Sequence, residues 1–547
     1  MAVGIGGLIG SLVVLCGATR YIFGGTGRPL THFLSNQLPV HGRVLGIAWV
    51  ADPFGLVFAL LTTGLGIILL ISVLSELGGL GLIELGGLAC LIQLLLAALI
   101  GAALTADTVN LFVWFEVAAL ASYGLTGFFL ERPVALEAAF KNLVLTGIAG
   151  FCVFVGSALL YATTGALNFG QLHRALSNGG GAATLIALAL LISGLSTKAG
   201  LVPFHAWLPD AHTPIPGAVS ALFSALMVDL GVVALARLML QVCPDIARLP
   251  VLLMCLGLVS AVTGSLLALV QDDLKRLLAW DTVAQTGVMI TGLASRTVDG
   301  VAGAVYHLVN HGMFKALMFL CAGAVVHATG VTTLDQMGGL ARRRPLLTAA
   351  FTVGVLSISG VPLFNGYPSL GMIHDGLAAH PAALACSFIA QVLTVAALGR
   401  AAYLGFYRRR EHEYEHLEPI RAGMRTSLIL LGSGCVAFGA LAGPFVARVA
   451  GPAAAGLLDA TGYASAALGA AVEIPYSGAH FDYLRGETLV TVAAELVLGV
   501  ILLILVIRRP AAQSVLGPLR RLHTGSINDY AAFAAVGLIV VSTVLLC

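Results

Sequence analysis

Glu116 stands in the apolar run NLFVWFEVAALASYGLTGF, flanked by no polar side chains other than Ser122 and Tyr123. Apolar surroundings favour a neutral carboxyl and an opposite charge favours the ionised one. An acid held between those influences can load and release a proton; a structural ion pair with a neighbouring helix is the alternative. Lys198 lies deep in an apolar run, just ahead of a proline at 203. Glu116 and Lys198 therefore form a candidate switchable pair. Lys141, at the head of AAFKNLVLTGIAGF, can instead snorkel its amine to the membrane interface.

A second group lies in VYHLVNHGMFKALMFLCAGAVVH, where His307, His311 and Lys315 follow at i, i+4 and i+8. That spacing stacks the three on one face of a helix. Histidine changes charge near neutral pH, so such a stripe is what a proton relay needs. Hydrogen-bonded core histidines are the alternative. A metal site is disfavoured, because no glutamate lies between the histidines, no third ligand is near in sequence, and Lys315 on the same face would repel a cation. GGLGLIELGG at 78–87 lacks the Lys-Ser/Thr of a phosphate loop. No nucleotide, flavin or quinone signature and no Ser/His/Asp arrangement is found. The expected chemistry is proton transfer, with no cofactor, no metal and no redox centre of the chain's own.

The stretch from Gly194 to Arg237 organises these groups: GLSTKAGLVPFHAWLPDAHTPIPGAVSALFSALMVDLGVVALAR. It is apolar enough for a membrane, yet it carries Lys198, His205, Asp210, His212 and Asp229 and is interrupted by Pro203, Pro209, Pro214 and Pro216. A charge at bilayer depth costs about 2.5–3.5 kcal/mol on insertion scales and marks function by default. A broken helix at that depth is tolerated only against protein or a water-filled cavity. Charges on a broken helix point to an ion path.

The elements that must position them are membrane helices. Of 547 residues, 59% are hydrophobic and 10% charged, against about 25% charged in soluble domains. A net charge of +2 gives no support for nucleic-acid binding. Nine scattered cysteines form no CxxC and read as buried small hydrophobes. The expected class is an all-α, polytopic membrane protein with roughly 14–16 transmembrane helices of about 20 residues. Spans are expected near 3–22, 52–74, 84–105, 108–130, 137–162, 184–210, 215–240, 250–271, 278–295, 301–328, 346–378, 381–406, 424–448, 488–507 and 530–547. The N-terminal run reads as a first transmembrane helix rather than a cleaved signal. Segment 24–50 reads as an external loop or a poor helix, and 450–472 as a non-spanning stretch. Segment 508–529 reads as a surface helix or an ordinary loop. Arg132, Lys275 with Arg276, Arg342–Arg344 and Arg408–Arg410 then share one face, the cytoplasmic one. A second Gly/Pro-interrupted span, 346–378, matches the first: GLVPFHAW in one half, GVPLFNGY in the other. Paired interruptions point to an inverted-repeat architecture.

STKAGLVPFHAWLPDAHTPIPGAVSAL, WFEVAALASYGLTGF, DDLKRLLAWDTVAQTG and VYHLVNHGMFKALMFLCAGAVV together resemble the antiporter-like, proton-conducting membrane subunits. These belong to respiratory complex I, membrane-bound hydrogenase and formate hydrogenlyase complexes, and Mrp-type antiporters. The match runs in order over about 100–410, and LHTGSINDYAAFAAVGL resembles the terminal helix of the longer members. The resemblance implies two inverted five-helix repeats, each with a broken helix. It divides the chain into N-terminal helices 1–104, a first half 105–240, a second half 250–406 and C-terminal helices 407–547. It also implies that Glu116, Lys141, Lys198, His307, His311 and Lys315 form a polar axis at mid-membrane.

Two positions depart from the family pattern. Asp229 stands where many members carry a lysine. Leu370, in GYPSLGM, stands where the second broken helix usually carries Lys or Glu. His374 and Asp375, one turn on, are the candidate substitutes. The resemblance implies a proton-translocating subunit, with protons or sodium as the ion, set among other membrane subunits in the inner or plasma membrane and coupled to a cytoplasmic redox or zinc enzyme module. The alternative is a non-pumping scaffold for a soluble partner enzyme, as in inorganic-carbon uptake systems.

Overall fold

The computed structural model describes residues 2–26, 28–40, 42–177, 179–409, 414, 418–473, 475, 478–508, 518–519 and 523–547. In hydrocarbon a backbone must satisfy its own polar groups, so the apolar runs become helices. The chain opens with α1 (Ala2–Tyr21) and a ribbon of β1 (Leu30–Phe33) and β2 (Ala48–Ala51), antiparallel with Leu30 opposite Ala51. Next come α2 (Pro53–Leu77), α3 (Leu82–Leu104), α4 (Thr108–Thr126), α5 (Pro133–Thr164), the short α6 (Phe169–Leu176), α7 (Ala182–Ala199) and α8 (Trp207–His212). The rod Gly217–Val242 joins α9 (Gly217–Leu222) and α10 (Val228–Arg237) through a π-wound turn. It is followed by α11 (Arg248–Val270), α12 (Leu274–Ala294), α13 (Val298–Thr329), the single turn α14 (Leu340–Arg343), α15 (Pro345–Ile358), α16 (Gly366–Gly376) and α17 (Pro381–Ala402). The chain closes with α18 (Ala422–Ala440), α19 (Ala442–Phe445), α20 (Gly451–Leu458), α21 (Ala460–Ala467), α22 (Gly486–Arg508) and α23 (Ile527–Leu546).

Thirteen helices among the described residues are long and apolar enough to cross a membrane. The protein is an all-α, multi-pass membrane protein. Two other expected spans are helical but outside that set. The span 278–295 is α12, which carries Lys275, Arg276 and Asp281 and is correspondingly less apolar. The span 346–378 is split into α15 and α16. Segment 24–50 holds the β-ribbon rather than a helix, the one departure from all-α structure among the described residues. Segment 450–472 holds α20, the last part of the continuous apolar helix Ala442–Leu458, and the 8-residue α21, both shorter than the about 20 residues of a typical span. Most of the possible surface helix at 508–529 lies outside the described residues.

Both broken helices have their freed backbone groups met by neighbours. At the end of α7, Gly200 takes the left-handed conformation (φ 68°), which glycine adopts without steric cost. Pro203 cannot donate to a continuing helix. The Trp207 indole N–H donates to Thr197 O at 2.6 Å, and Val202 N donates to Ser260 Oγ at 2.9 Å. At the second break, Gln391 Nε2 donates to Ile358 O (2.9 Å), Asn310 Nδ2 to Asn365 O (2.6 Å), and Leu363 N to Tyr483 OH (2.9 Å). An unmet backbone group in hydrocarbon costs several kcal/mol, so these side chains hold each break open.

Helix α13 lies at the centre of the bundle, against α2, α9, α12, α15, α16, α18 and α20. Gly217 and Gly323 let it meet α9 backbone to backbone: a Cβ on Gly217 would fall 2.5 Å from Gly323 Cα. Such close approach of small residues is how membrane helices pack. A buried ion pair ties the N-terminal helices to the rod. Arg237 Nη2 lies 2.6 Å from Asp52 Oδ1 and also donates to Ala103 O, while Nη1 donates to Gln241. Asp52 also accepts from Gly55 N and so caps α2.

Candidate functional site

Three groups of ionisable side chains inside the bundle hold most of the expected site residues. The first spans α4, α5 and α7. Glu116 is half-buried on α4, and its carboxylate rests over α5 at Gly150, where a Cβ would come within 1.9 Å of Oε1. Lys198 is 2% exposed at the last turn of α7, and its amine donates no hydrogen bond among the described residues. Glu116 is the carboxylate whose charge acts on Lys198. The two are thus electrostatically coupled without a closing hydrogen bond. A closed pair would hold its proton; an open one leaves the amine free to give it up.

The second group is built on α13, and its residues reach α10, α12 and α16. His311 Nδ1 lies 2.9 Å from Asp229 Oδ1 of α10, both fully buried. The geometry does not make an aligned hydrogen bond, so the two side chains are in close approach without one. Lys315 Nζ lies 2.5 Å from Asp281 Oδ2 of α12 and 3.0 Å from Leu278 O. Asp281 Oδ1 accepts weakly from Gln285 Nε2 at 3.5 Å. Gln285 Oε1 is 2.9 Å from His307 Nε2, and His307 Nδ1 is 3.0 Å from Ser369 Oγ on α16. A polar trail therefore runs from Lys315 to the second broken helix through Asp281, Gln285, His307 and Ser369. Chains of this kind polarise one another at low dielectric.

The third group is a cluster around Asp210, 8% exposed on α8. Arg276 Nη2 (2.5 Å), His523 Nε2 (2.9 Å), the Tyr530 hydroxyl (3.0 Å) and Lys141 Nζ (3.4 Å) all surround its carboxylate. Lys141 also lies 2.6 Å from Glu137. Lys141 thus belongs to this cluster and not to the Glu116–Lys198 pair. Asp210 joins α5, α8 and α12 to the C-terminal segment, and α23 covers the first break, with Gly537 against Pro203 and Phe204.

His374 and Asp375 diverge. His374 is buried, 3.2 Å from Ser387 Oγ and 3.8 Å from Glu495 Oε1 of α22. Asp375 turns outward to Arg485, 2.8 Å away. Among the described residues no side-chain hydrogen bond links Ser369 to His374, and Leu370 lies in the core between them. Sequence reasoning gave no role to Asp281, Gln285, Ser369 or Glu495. Glu495 carried the same signal as Glu116, a lone acid in the apolar run VTVAAELVLGVILLILV. No group of three or more His, Cys, Asp or Glu among the described residues is arranged to hold a metal ion.

A polytopic bundle with two broken helices and ionisable groups at its centre defines a class of membrane subunit, and comparison with known proteins gives the family. Residues 105–394 match the family described as NADH:quinone oxidoreductase/Mrp antiporter, TM. The chain belongs to this family. NADH-quinone oxidoreductase subunit N of Desulforudis audaxviator is 33% identical over 71% of this chain and 76% of its own length. The antiporter subunit mnhD2 of Staphylococcus epidermidis is 31% identical over 65% of this chain and 72% of its own. A chain of the Mrp complex from Dietzia sp. DQ12-45-1b superposes with a TM-score of 0.77 at 25% identity, over 85% of this chain and 94% of that one. A chain of the membrane-bound sulfane sulfur reductase, an archaeal respiratory membrane complex, gives 0.77 at 27% identity over 84% and 93%. The protein is a multi-pass plasma-membrane protein, which its thirteen apolar helices and its family both support.

Proposed function

We propose that this chain is a proton-translocating subunit of a larger membrane complex. The supporting observation is the fully buried pair Lys315–Asp281 and the trail from it to His307 and Ser369. Charges buried so deeply are costly and mark ion pathways. In this reading Glu116 and Lys198 exchange a proton in a first half, 105–240. Asp229, His311, Lys315 and His307 pass it across the centre, and the second half, 250–406, carries it out. The two breaks, after Lys198 and before Ser369, support an inverted-repeat origin for these halves. The electrostatic work of shifting Lys315 between Asp281 and its other buried neighbours couples the halves to each other.

Relatives named as subunits of a quinone oxidoreductase and of an antiporter, and neighbours in multi-subunit complexes, support other membrane subunits as partners. A cytoplasmic redox or zinc enzyme module would supply the driving reaction, and protons, with sodium as a linked ion, would be the cargo. Leu370 favours the second reading, a non-pumping scaffold for a soluble enzyme, because an apolar side chain carries no proton. Transport by the complex in proteoliposomes decides between them. Glu116→Ala and Lys198→Ala should each abolish proton movement in assembled complex; full transport in both would refute the assignment.

A further inference from the structure

Helix α22 brings one carboxylate into the interior. Glu495 is 1% exposed, and its Oε1 accepts no hydrogen bond among the described residues. That oxygen lies 3.8 Å from His374 Nε2 on α16. At 1.5 Å per residue it sits about 14 Å along the helix from Gly486, near half of a hydrocarbon core of about 30 Å. A buried carboxylate with an unmet oxygen is expensive to keep. On α16 the side chain one turn before His374, on the same face, is Leu370. Titratable help for His374 must therefore come from another helix. Water is close by: the next residue, Asp375, pairs with the half-exposed Arg485, which also meets the exposed Glu487.

We infer that Glu495 is a proton acceptor on the translocation path, exchanging its proton with His374 at the outlet of the second half. The inference rests on the ion-translocating reading above. In the step, the N–H bond at His374 Nε2 breaks as an O–H bond forms at Glu495 Oε1. The imidazolium becomes neutral imidazole and the carboxylate becomes carboxylic acid, and no other reactant is needed. Side-chain rotation closes the remaining separation. Ser387 Oγ, 3.2 Å from the same ring nitrogen, holds the imidazole in place between transfers.

The test is proton transport by the whole reconstituted complex carrying Glu495→Gln or Glu495→Asp, with wild type and Lys198→Ala beside them. Loss of a positioned proton acceptor should slow transport by about 100-fold in Glu495→Gln. Glu495→Asp, which keeps the carboxyl, should retain a substantial part of the rate. Wild-type speed in Glu495→Gln, while Lys198→Ala is silent, overturns the inference and leaves the wider reading intact. Wild-type speed in Glu495→Gln with loss in Glu495→Asp overturns it too, since the shape and not the carboxyl then matters. A wild-type complex that moves no protons overturns both. If Glu495→Gln fails to assemble, labelling of the wild-type complex with dicyclohexylcarbodiimide replaces it. Glu495 should then be modified in step with inhibition, and full modification of Glu495 without inhibition contradicts the assignment.

Discussion

Asp229 of α10 and His311 of α13 meet 2.9 Å apart, both wholly buried. The carboxyl of Asp229 is the acidic group that faces His311 on α13. Lys315 lies one turn further along α13, and Asp229 and Lys315 act on each other electrostatically.

Asp229→Asn should keep the shape and lose the charge. Assembly should persist while proton transport falls by about 100-fold. Asp229→Lys should do worse, since it buries a second cation against His311 and Lys315 without a counter-charge. Thermal unfolding and co-purification of the complex separate the two cases.

Gly150 leaves the space in which the Glu116 carboxylate rests. Gly150→Ala places a methyl there, and only the end of a flexible side chain has to move. The fold should survive, with transport reduced by about tenfold as Glu116 is pushed from its place near Lys198. Transport assays of Gly150→Ala in assembled complex, compared with Gly147→Ala, which meets no atom within 4 Å, check this.

Asp52 and Arg237 predict stability rather than transport. Asp52→Ala leaves a buried guanidinium without its carboxylate, a loss of about 3–5 kcal/mol. Asp52→Ala with Arg237→Met should recover much of it, because no charge is then stranded. Melting of the purified protein in detergent measures both.

The Asp210 cluster predicts graded damage at the C-terminal helix. Tyr530→Phe removes one donor to the Asp210 carboxylate and should cost about 1.5–3 kcal/mol. Asp210→Asn weakens contacts to Arg276, Lys141 and His523 together and should cost more. Thermal stability, read beside disulfide trapping between cysteines placed at Gly537 and Phe204, reports whether α23 leaves the break.

Much of this was legible in the residues themselves. Glu116, Lys198, His307, His311 and Lys315 are polar exceptions in apolar runs, and the prolines and glycines marked both breaks. The partners were not legible, because they depend on which helices touch. Lys315 finds Asp281 34 positions away, and Asp210 finds His523 313 positions away. Lys141 showed the limit most clearly: its apolar neighbours fit either a snorkelling amine or a buried one, and only packing against α8 gives it Asp210. The β-ribbon in 24–50 escaped because its strands are four residues long and only partly alternating.

Proton uptake driven by the complex in sealed vesicles, with Lys315→Ala against wild type, tests the central claim most directly. The account predicts an assembled complex with no proton uptake, because the trail from α13 to α16 begins at that amine. Uptake at the wild-type rate would contradict it.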